Sequence, residues 1–388
     1  DAERWYIRAA DAAALTGEDL GEDFDLLAAS AAYLDAEHLA ASEDADALLA
    51  AAARFEESAR AHPGTEVAPT ALYDAGETYG RAGDLRNAIR VFNDLADRYP
   101  DDPLAPRGLL RAAFLATEAG NYILAGETYL NAYNRYPAAE EVSGAVFSAA
   151  LSFEEGGSTD RAMSVYDRIV RERNCGPDVM VTALGKYGDH LFDRMDYHGA
   201  GQMYQDCIAT YDRYREGPAA HPARAAFRLG EMARMRYDAV TVFDTHTATA
   251  KTQLKVEVEN FYAKSLTYNV DTWFMASCAR AGELFEDYAN AIAFMPPPEG
   301  LDDAGVDEFY NQLYIQIYEP NMQNAINVYT TAIQKAVSAG ITNEWVEKAA
   351  ANLEMLSPGS VGALGLPGYE PLPEPAPEGA APESGGVQ

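Results

Sequence analysis

The chain has 388 residues, 48% of them hydrophobic, with 61 acidic and 29 basic side chains and a formal charge of -32. The apolar share supports a sizeable buried core and excludes disorder throughout. A field of that sign repels phosphate backbones and anionic headgroups, which disfavours nucleic acid and a polybasic membrane attachment. A basic partner is compatible with it, and so is an acidity that only keeps the surface soluble.

Alanine is abundant and strand-type alternation is scarce, so the chain leans helical. No stretch approaches the length of a membrane-spanning apolar run, and no signal peptide is evident. The chain opens on Asp1 rather than Met, which is compatible with a processed or truncated start.

Residues 1–19 read as the end of an earlier helix or a cap, and residues 1–62 carry 15 acidic against 4 basic side chains, as a solvated terminal cap would. Residues 20–214 carry a repeat. Ala51, Ala88, Ala125, Ala162 and Ala200 recur at intervals of 37, 37, 37 and 38. Each is followed four residues later by an aromatic: Phe55, Phe92, Tyr129, Tyr166 and Tyr204. The small residue lets a second helix approach a first, and the aromatic lies on the same face and fills the gap. A matching small residue stands 12 positions earlier, at Gly76, Ala113, Ala150 and Gly188. Polar glycine-bearing turns at 80–84, 118–121 and 155–158 separate the two helices, and Pro63, Pro100 and Pro137 end the second. One such unit cannot bury its own apolar face, and stacking does so.

In residues 69–102 the pattern Leu72, Ala75-Gly76, Tyr79, Ala88, Phe92, Leu95, Pro100 resembles the tetratricopeptide repeat (TPR). The resemblance implies an all-α, right-handed solenoid of helix pairs acting as a binding scaffold. The period is longer than the family's usual one and is similar to that of bacterial extracytoplasmic members.

Beyond 215 the register loosens, and 215–356 reads as an irregular module of longer helices. A helix from about 222 is expected to run on to about 244. The Thr-rich stretch 241–252 reads as a loop or a partly extended helix against which 254–268 could pair. A further apolar helix covers 272–294, a proline-rich loop 296–305, and a helix resumes at 306. Ala325, Tyr329 and Ala332 restore the small–aromatic–small spacing, and 342–356 forms a closing helix. This module, with Asn343-Glu344-Trp345, resembles large envelope-associated TPR proteins of gliding and predatory delta-proteobacteria. That likeness implies a periplasmic or otherwise extracytoplasmic place, with the cytoplasm as the alternative. Residues 357–388 hold seven prolines, seven glycines, four glutamates and no basic residue, and read as a disordered tail.

No nucleophile elbow, phosphate-binding loop, zinc helix or calcium loop is present. Cys175, Cys207 and Cys278 match no metal or redox spacing. Cys207 takes an interior position of the repeat, and Cys175, beside Gly176-Pro177, is the better candidate for a reactive thiol. Asp189, His190, Asp193, Asp196 and His198 form the densest polar cluster, but the repeat explains them as an exposed helix side, a turn and a helix start. Asp244, His246 and Glu257 or Glu259 form a second acid–base group with no nucleophile beside it. No catalytic, cofactor or metal residue is assigned.

The first helices of TPR-like pairs line the inner face. Tyr73 and Glu77, Leu110, Phe114 and Glu118, Phe147, Leu151, Glu154 and Glu155, then Asp189 and Phe192 fall there, giving an apolar, partly aromatic stripe edged by carboxylates. TPR domains that clamp acidic C-termini use Lys, Arg and Asn at such positions, and this chain departs from that. The expectation is a non-enzymatic scaffold for proteins, holding a peptide or helix with apolar anchors and basic flanks. A self-associating structural subunit is the alternative, and a metal-dependent helical enzyme a third reading.

Overall fold

A computed structural model describes residues 2–16, 21–242 and 244–369, and among them every regular element is helical. In chain order these are α1 (Ala2–Thr16), α2 (Gly21–Ala40), α3 (Ala45–Ala61), α4 (Val67–Arg81), α5 (Leu85–Arg98), α6 (Leu104–Glu118), α7 (Tyr122–Arg135), α8 (Ala145–Glu155) and α9 (Thr159–Glu172). They continue as α10 (Pro177–Asp193), α11 (Tyr197–Tyr214), α12 (Ala220–Asp238), α13 (Thr245–Thr267), α14 (Asp271–Ala293), α15 (Asp303–Leu313), α16 (Glu319–Ala339), α17 (Glu344–Leu356) and α18 (Ser360–Leu364). The chain divides into two compact units between Ala183 and Leu184.

The starts of the second helices follow from their caps. Asp44, Asp84, Asn121 and Asp196 each accept a backbone N–H from three residues on, which satisfies a donor the helix cannot. The residue before the cap must reverse the chain. Gly83, Gly120 and Gly157 do so at φ 80, 71 and 69°, while the fourth equivalent is Met195 at φ 62°.

In the first unit the pairs are α2 with α3, α4 with α5, α6 with α7 and α8 with α9. The core beneath the first two pairs is built from Phe55, Leu72, Tyr79, Val91, Phe92 and Leu95. In the α4–α5 pair the aromatic of the second helix presses on the small residue of the first: a Cβ at Gly76 would stand 2.6 Å from the Phe92 ring.

The second unit keeps that device in longer helices. A Cβ at Gly188 would stand 2.8 Å from Tyr204 and one at Gly230 2.5 Å from Tyr262, and Tyr329 closes on Gly282 in the same way. The all-α solenoid of helix pairs, with a C-terminal block of longer helices, is thus what the chain forms.

Several boundaries differ from expectation. α12 stops at Asp238, not near 244, because the Lys251 ammonium donates to the Tyr237 and Val240 carbonyls at 3.1 and 2.8 Å and caps its end. The Thr-rich stretch is helical from Thr245 and continuous with 254–267 in α13, so it is not a separate element against which 254–268 pairs. Asp244 and Thr247 form a reciprocal capping box, and Thr249 and Thr252 bond carbonyls four residues back. Asp303 to Ala339 is one run of helical backbone interrupted by a π turn, Tyr314–Tyr318, just before Pro320. Proline lacks an N–H and clashes with the preceding turn of an α-helix, and the wider turn accommodates it. Phe309, Leu313 and Ile317 face the core from this run.

The expected tail from 357 is folded in its first part: α18 lies within it, with Val361 buried and Leu364, Leu366 and Tyr369 packed on the same core. The remainder of that expected tail, 370–388, and Asp1 and 17–19 of the expected N-terminal segment lie outside the described residues.

Candidate partner-binding face

The first helices carry a second regularity beside their small residue. The residue that follows it is Glu77, Phe114 and Leu151 in the first unit, and Asp189, Glu231 and Glu283 in the second. Where this residue is a carboxylate it is engaged by a base from the next first helix. Glu77 accepts Arg111 Nε at 2.8 Å. Asp189 meets Arg224 at 2.8 Å. Glu231 accepts two nitrogens of Arg280, at 2.9 and 3.0 Å. Glu283 pairs with Lys348 of α17.

Most of these carboxylates, or one a turn later, also take a tyrosine hydroxyl from their own second helix. Tyr204 donates to Asp189 at 2.9 Å, Tyr262 to Glu231, Tyr166 to Glu154 at 3.0 Å and Tyr329 to Glu286 at 2.5 Å. Burial raises the Asp189 carboxyl above the ordinary carboxylate range, with Arg224 and the Tyr204 hydroxyl partly opposing it. Burial likewise raises Glu286.

Phe114 and Leu151 break the ladder. With no carboxylate to pair, their side chains stand 44% and 38% exposed. The Arg111 guanidinium lies 5.3 Å over the Phe114 ring. One turn further on, Glu118 and Glu155 are exposed carboxylates in both helices. The other expected face residues divide differently. Tyr73 and Phe147 are half-buried against Phe92 and Tyr166, with ring centres 5.5 and 6.4 Å apart. Leu110 is half-buried, and Glu77 and Glu154 are held as described. In the second unit Asp189 is engaged and Phe192 lies under the Arg228 guanidinium at 4.4 Å. Of the eleven residues, Phe114, Leu151, Glu118 and Glu155 are therefore the ones that present free surface. Sequence reasoning missed the basic ladder, although Arg111 and Arg280 each stand two residues before the small position and were legible there; Arg224, six residues before Gly230, was not.

The second unit also holds a cleft of about 580 Å³ between α11, α12 and α13, lined by Tyr197, Leu229, Met232, Met235 and Phe261 with His198 on its rim. A smaller one, about 350 Å³, occupies the corresponding place in the first unit between Leu85, Ile89, Ala116 and Leu124.

Neither cluster considered for chemistry is assembled. Asp189 is taken by Tyr204 and Arg224, Asp196 caps α11, and His198 meets Gln202 at 3.1 Å. Asp244 caps α13, Glu257 pairs with Arg236 and Glu259 with Lys255. Among the described residues no group of three or more His, Cys, Asp or Glu is placed to hold a metal ion. Burial raises the Cys175 thiol, with Asp178 adding to it, which lowers its thiolate share. Cys207 is raised further, and Cys278 is pushed up to about 12 by burial. None of the three cysteines is in a disulfide. No helix among the described residues is long and apolar enough to cross a membrane.

The tetratricopeptide repeat family profile matches residues 70–102. The fold is of the tetratricopeptide repeat type. The chain is similar to two solved structures. One is a tetratricopeptide repeat protein from Parabacteroides merdae, 17% identical, covering 74% of this chain and 98% of that one, with a TM-score of 0.32. The other is the C-terminal part of a TPR repeat-containing protein from Cytophaga hutchinsonii, 15% identical, covering 75% of this chain and 98% of that one, with a TM-score of 0.33. No curated protein matches. A non-catalytic role in protein–protein interaction fits this TPR-type, all-helical architecture.

Proposed function

We propose that the chain is a scaffold that holds a partner protein on the first-helix face of its N-terminal unit, with Phe114 and Leu151 as anchoring contacts. One observation carries the reading: two successive repeats place an exposed apolar side chain where α4, α10, α12 and α14 place an ion-paired carboxylate. An apolar side chain left in water at a repeated position is recovered when a partner covers it. Glu118 and Glu155, each four residues on, supply unpaired negative charge beside each anchor. The segment that fits is a peptide or helix with apolar side chains flanked by Lys or Arg, whose charge steers the encounter and whose apolar groups hold it. The likeness of the 215–356 module, with its proline-rich insert, to envelope-associated TPR proteins supports placing this role in an extracytoplasmic complex.

The test is affinity capture from the source cells on immobilised chain, with Phe114→Ser/Leu151→Ser beside the parent. A protein retained by the parent and lost by the variant supports the reading. Equal retention by both removes the face from consideration.

A further inference from the structure

The second unit leaves one helix face uncovered. Phe309, Leu313 and Ile317 turn α15 and the π turn toward the core. The adjoining side, one residue further along at each turn, carries Tyr310, Tyr314 and Tyr318 at the same four-residue spacing, with Ile315 beside them, and no residue of α15 or the π turn is fully buried. Tyr314 and Ile315 are 54% and 51% exposed, and the Tyr314 and Tyr318 rings stack with centres 5.4 Å apart. The backbone is unusual at the same place: the Glu319 N–H reaches back five residues to the Tyr314 carbonyl, a π geometry that recurs at functional sites.

Charge says what kind of group covers this face. From 281 to 334 the chain has nine acidic side chains and no Lys, Arg or His. Asp307, Glu308 and Glu319 flank the tyrosines and are exposed. Elsewhere in this unit aromatic rings carry a cation from the chain itself: Lys255 lies 4.7 Å over Phe285, Lys335 4.9 Å over Phe274 and Lys264 5.1 Å over Tyr268. The tyrosine stripe lies in the stretch that has no cation of its own to supply. Stacked, electron-rich faces edged by carboxylates suit a guanidinium, which binds flat on a ring and pairs with a carboxylate at its edge.

We propose that the exposed face of α15 and the π turn docks an arginine-bearing segment of a partner protein, with the guanidinium groups on Tyr310 and Tyr314 and paired with Asp307, which shares their helix face. This face is separate from Phe114 and Leu151 and does not depend on them.

The probe is a fluorescein-labelled peptide of about twelve residues, with four arginines spaced by alanine and serine, and its all-lysine counterpart. Binding to the full chain is read by anisotropy at low ionic strength, where exposed charge pairs are least screened. The arginine peptide should bind, and bind more tightly than the lysine peptide. Tyr310→Ser/Tyr314→Ser should weaken it roughly five- to thirty-fold, from two exposed cation–π contacts. Asp307→Asn should weaken it, while Asp160→Asn, which removes the same charge from the other unit, should not. Tyr310→Phe/Tyr314→Phe keeps the rings and should keep binding, which guards against a misfolded serine variant. Phe114→Ser/Leu151→Ser should bind the peptide as the parent does. Absence of binding overturns the proposal. So does equal weakening by the two charge-removing variants, or parental affinity in the folded serine variant.

Discussion

The Arg280 guanidinium holds Glu231 with two hydrogen bonds, at 2.9 and 3.0 Å, across 49 residues of sequence. The pair repeats what Arg111 and Glu77 do in the first unit across 34 residues. The repeat therefore persists beyond 215 in its contacts, although its period is lost.

Both groups of the Arg280–Glu231 pair are about four-fifths shielded from solvent. Removing one partner strands the other, so Arg280→Ala is expected to destabilise the chain by about 2–3 kcal/mol. A double-mutant cycle with Glu231→Ala should give a coupling above about 1 kcal/mol by denaturant unfolding. Additive single effects would show that the ladder holds nothing together.

Gly282 has no room for a side chain beside Tyr329. Gly282→Ala should cost about 1–3 kcal/mol through overpacking, read as a fall in thermal midpoint. Gly144→Ala, where a Cβ meets nothing within 4 Å and φ is -81°, is the control and should leave the midpoint nearly unchanged.

Met195 occupies a left-handed position that three repeats give to glycine, and its side chain is 74% exposed. Met195→Gly relieves the backbone without emptying the core. A gain of about 0.5–1 kcal/mol is expected, seen as a higher thermal midpoint, and a loss would mean that the Met195 side chain contributes contacts outweighing the backbone strain.

How much of this was legible in the sequence depends on whether contacts kept a fixed spacing. Gly76 and Phe92, or Gly188 and Tyr204, stand 16 apart, and the pattern gives the helix pair directly. Gly230 and Tyr262 stand 32 apart and Gly282 and Tyr329 47 apart, because the helices between them are longer and the run 294–318 is inserted. The same physics acts there, but no periodicity announces it. Thr245–Thr252 reads as a breaker by propensity, yet its hydroxyls bond back to the helix, and Asp244 gives it a start. On the candidate face, the sequence places Tyr73, Phe114, Phe147 and Leu151 alike. It could not separate them, because whether each is covered depends on rings from another helix, Phe92 and Tyr166.

Two carboxylates should respond to acid with opposite sign. Burial raises Asp189 in the folded chain, so its ionised form is the costly one, and the stability it removes at neutral pH returns as pH falls through its raised value. The Arg90 hydrogen bond lowers Glu56, so its contribution is present above the ordinary carboxylate value and is lost as pH falls through its depressed one. Midpoints of Asp189→Asn and Glu56→Gln are compared with the parent from about pH 7 to about pH 2.5, below the ordinary carboxylate values. The parent should gain on Asp189→Asn and lose its advantage over Glu56→Gln as the solution is acidified. Parallel changes for both would contradict the assignment.

The central claim is that Phe114 and Leu151 are anchors. It is tested most directly by the dissociation constant of the captured partner for the parent chain and for Phe114→Ser/Leu151→Ser, with helicity confirmed unchanged. Loss of two anchoring contacts predicts a Kd raised at least about thirtyfold. An unchanged Kd in the folded variant would contradict it.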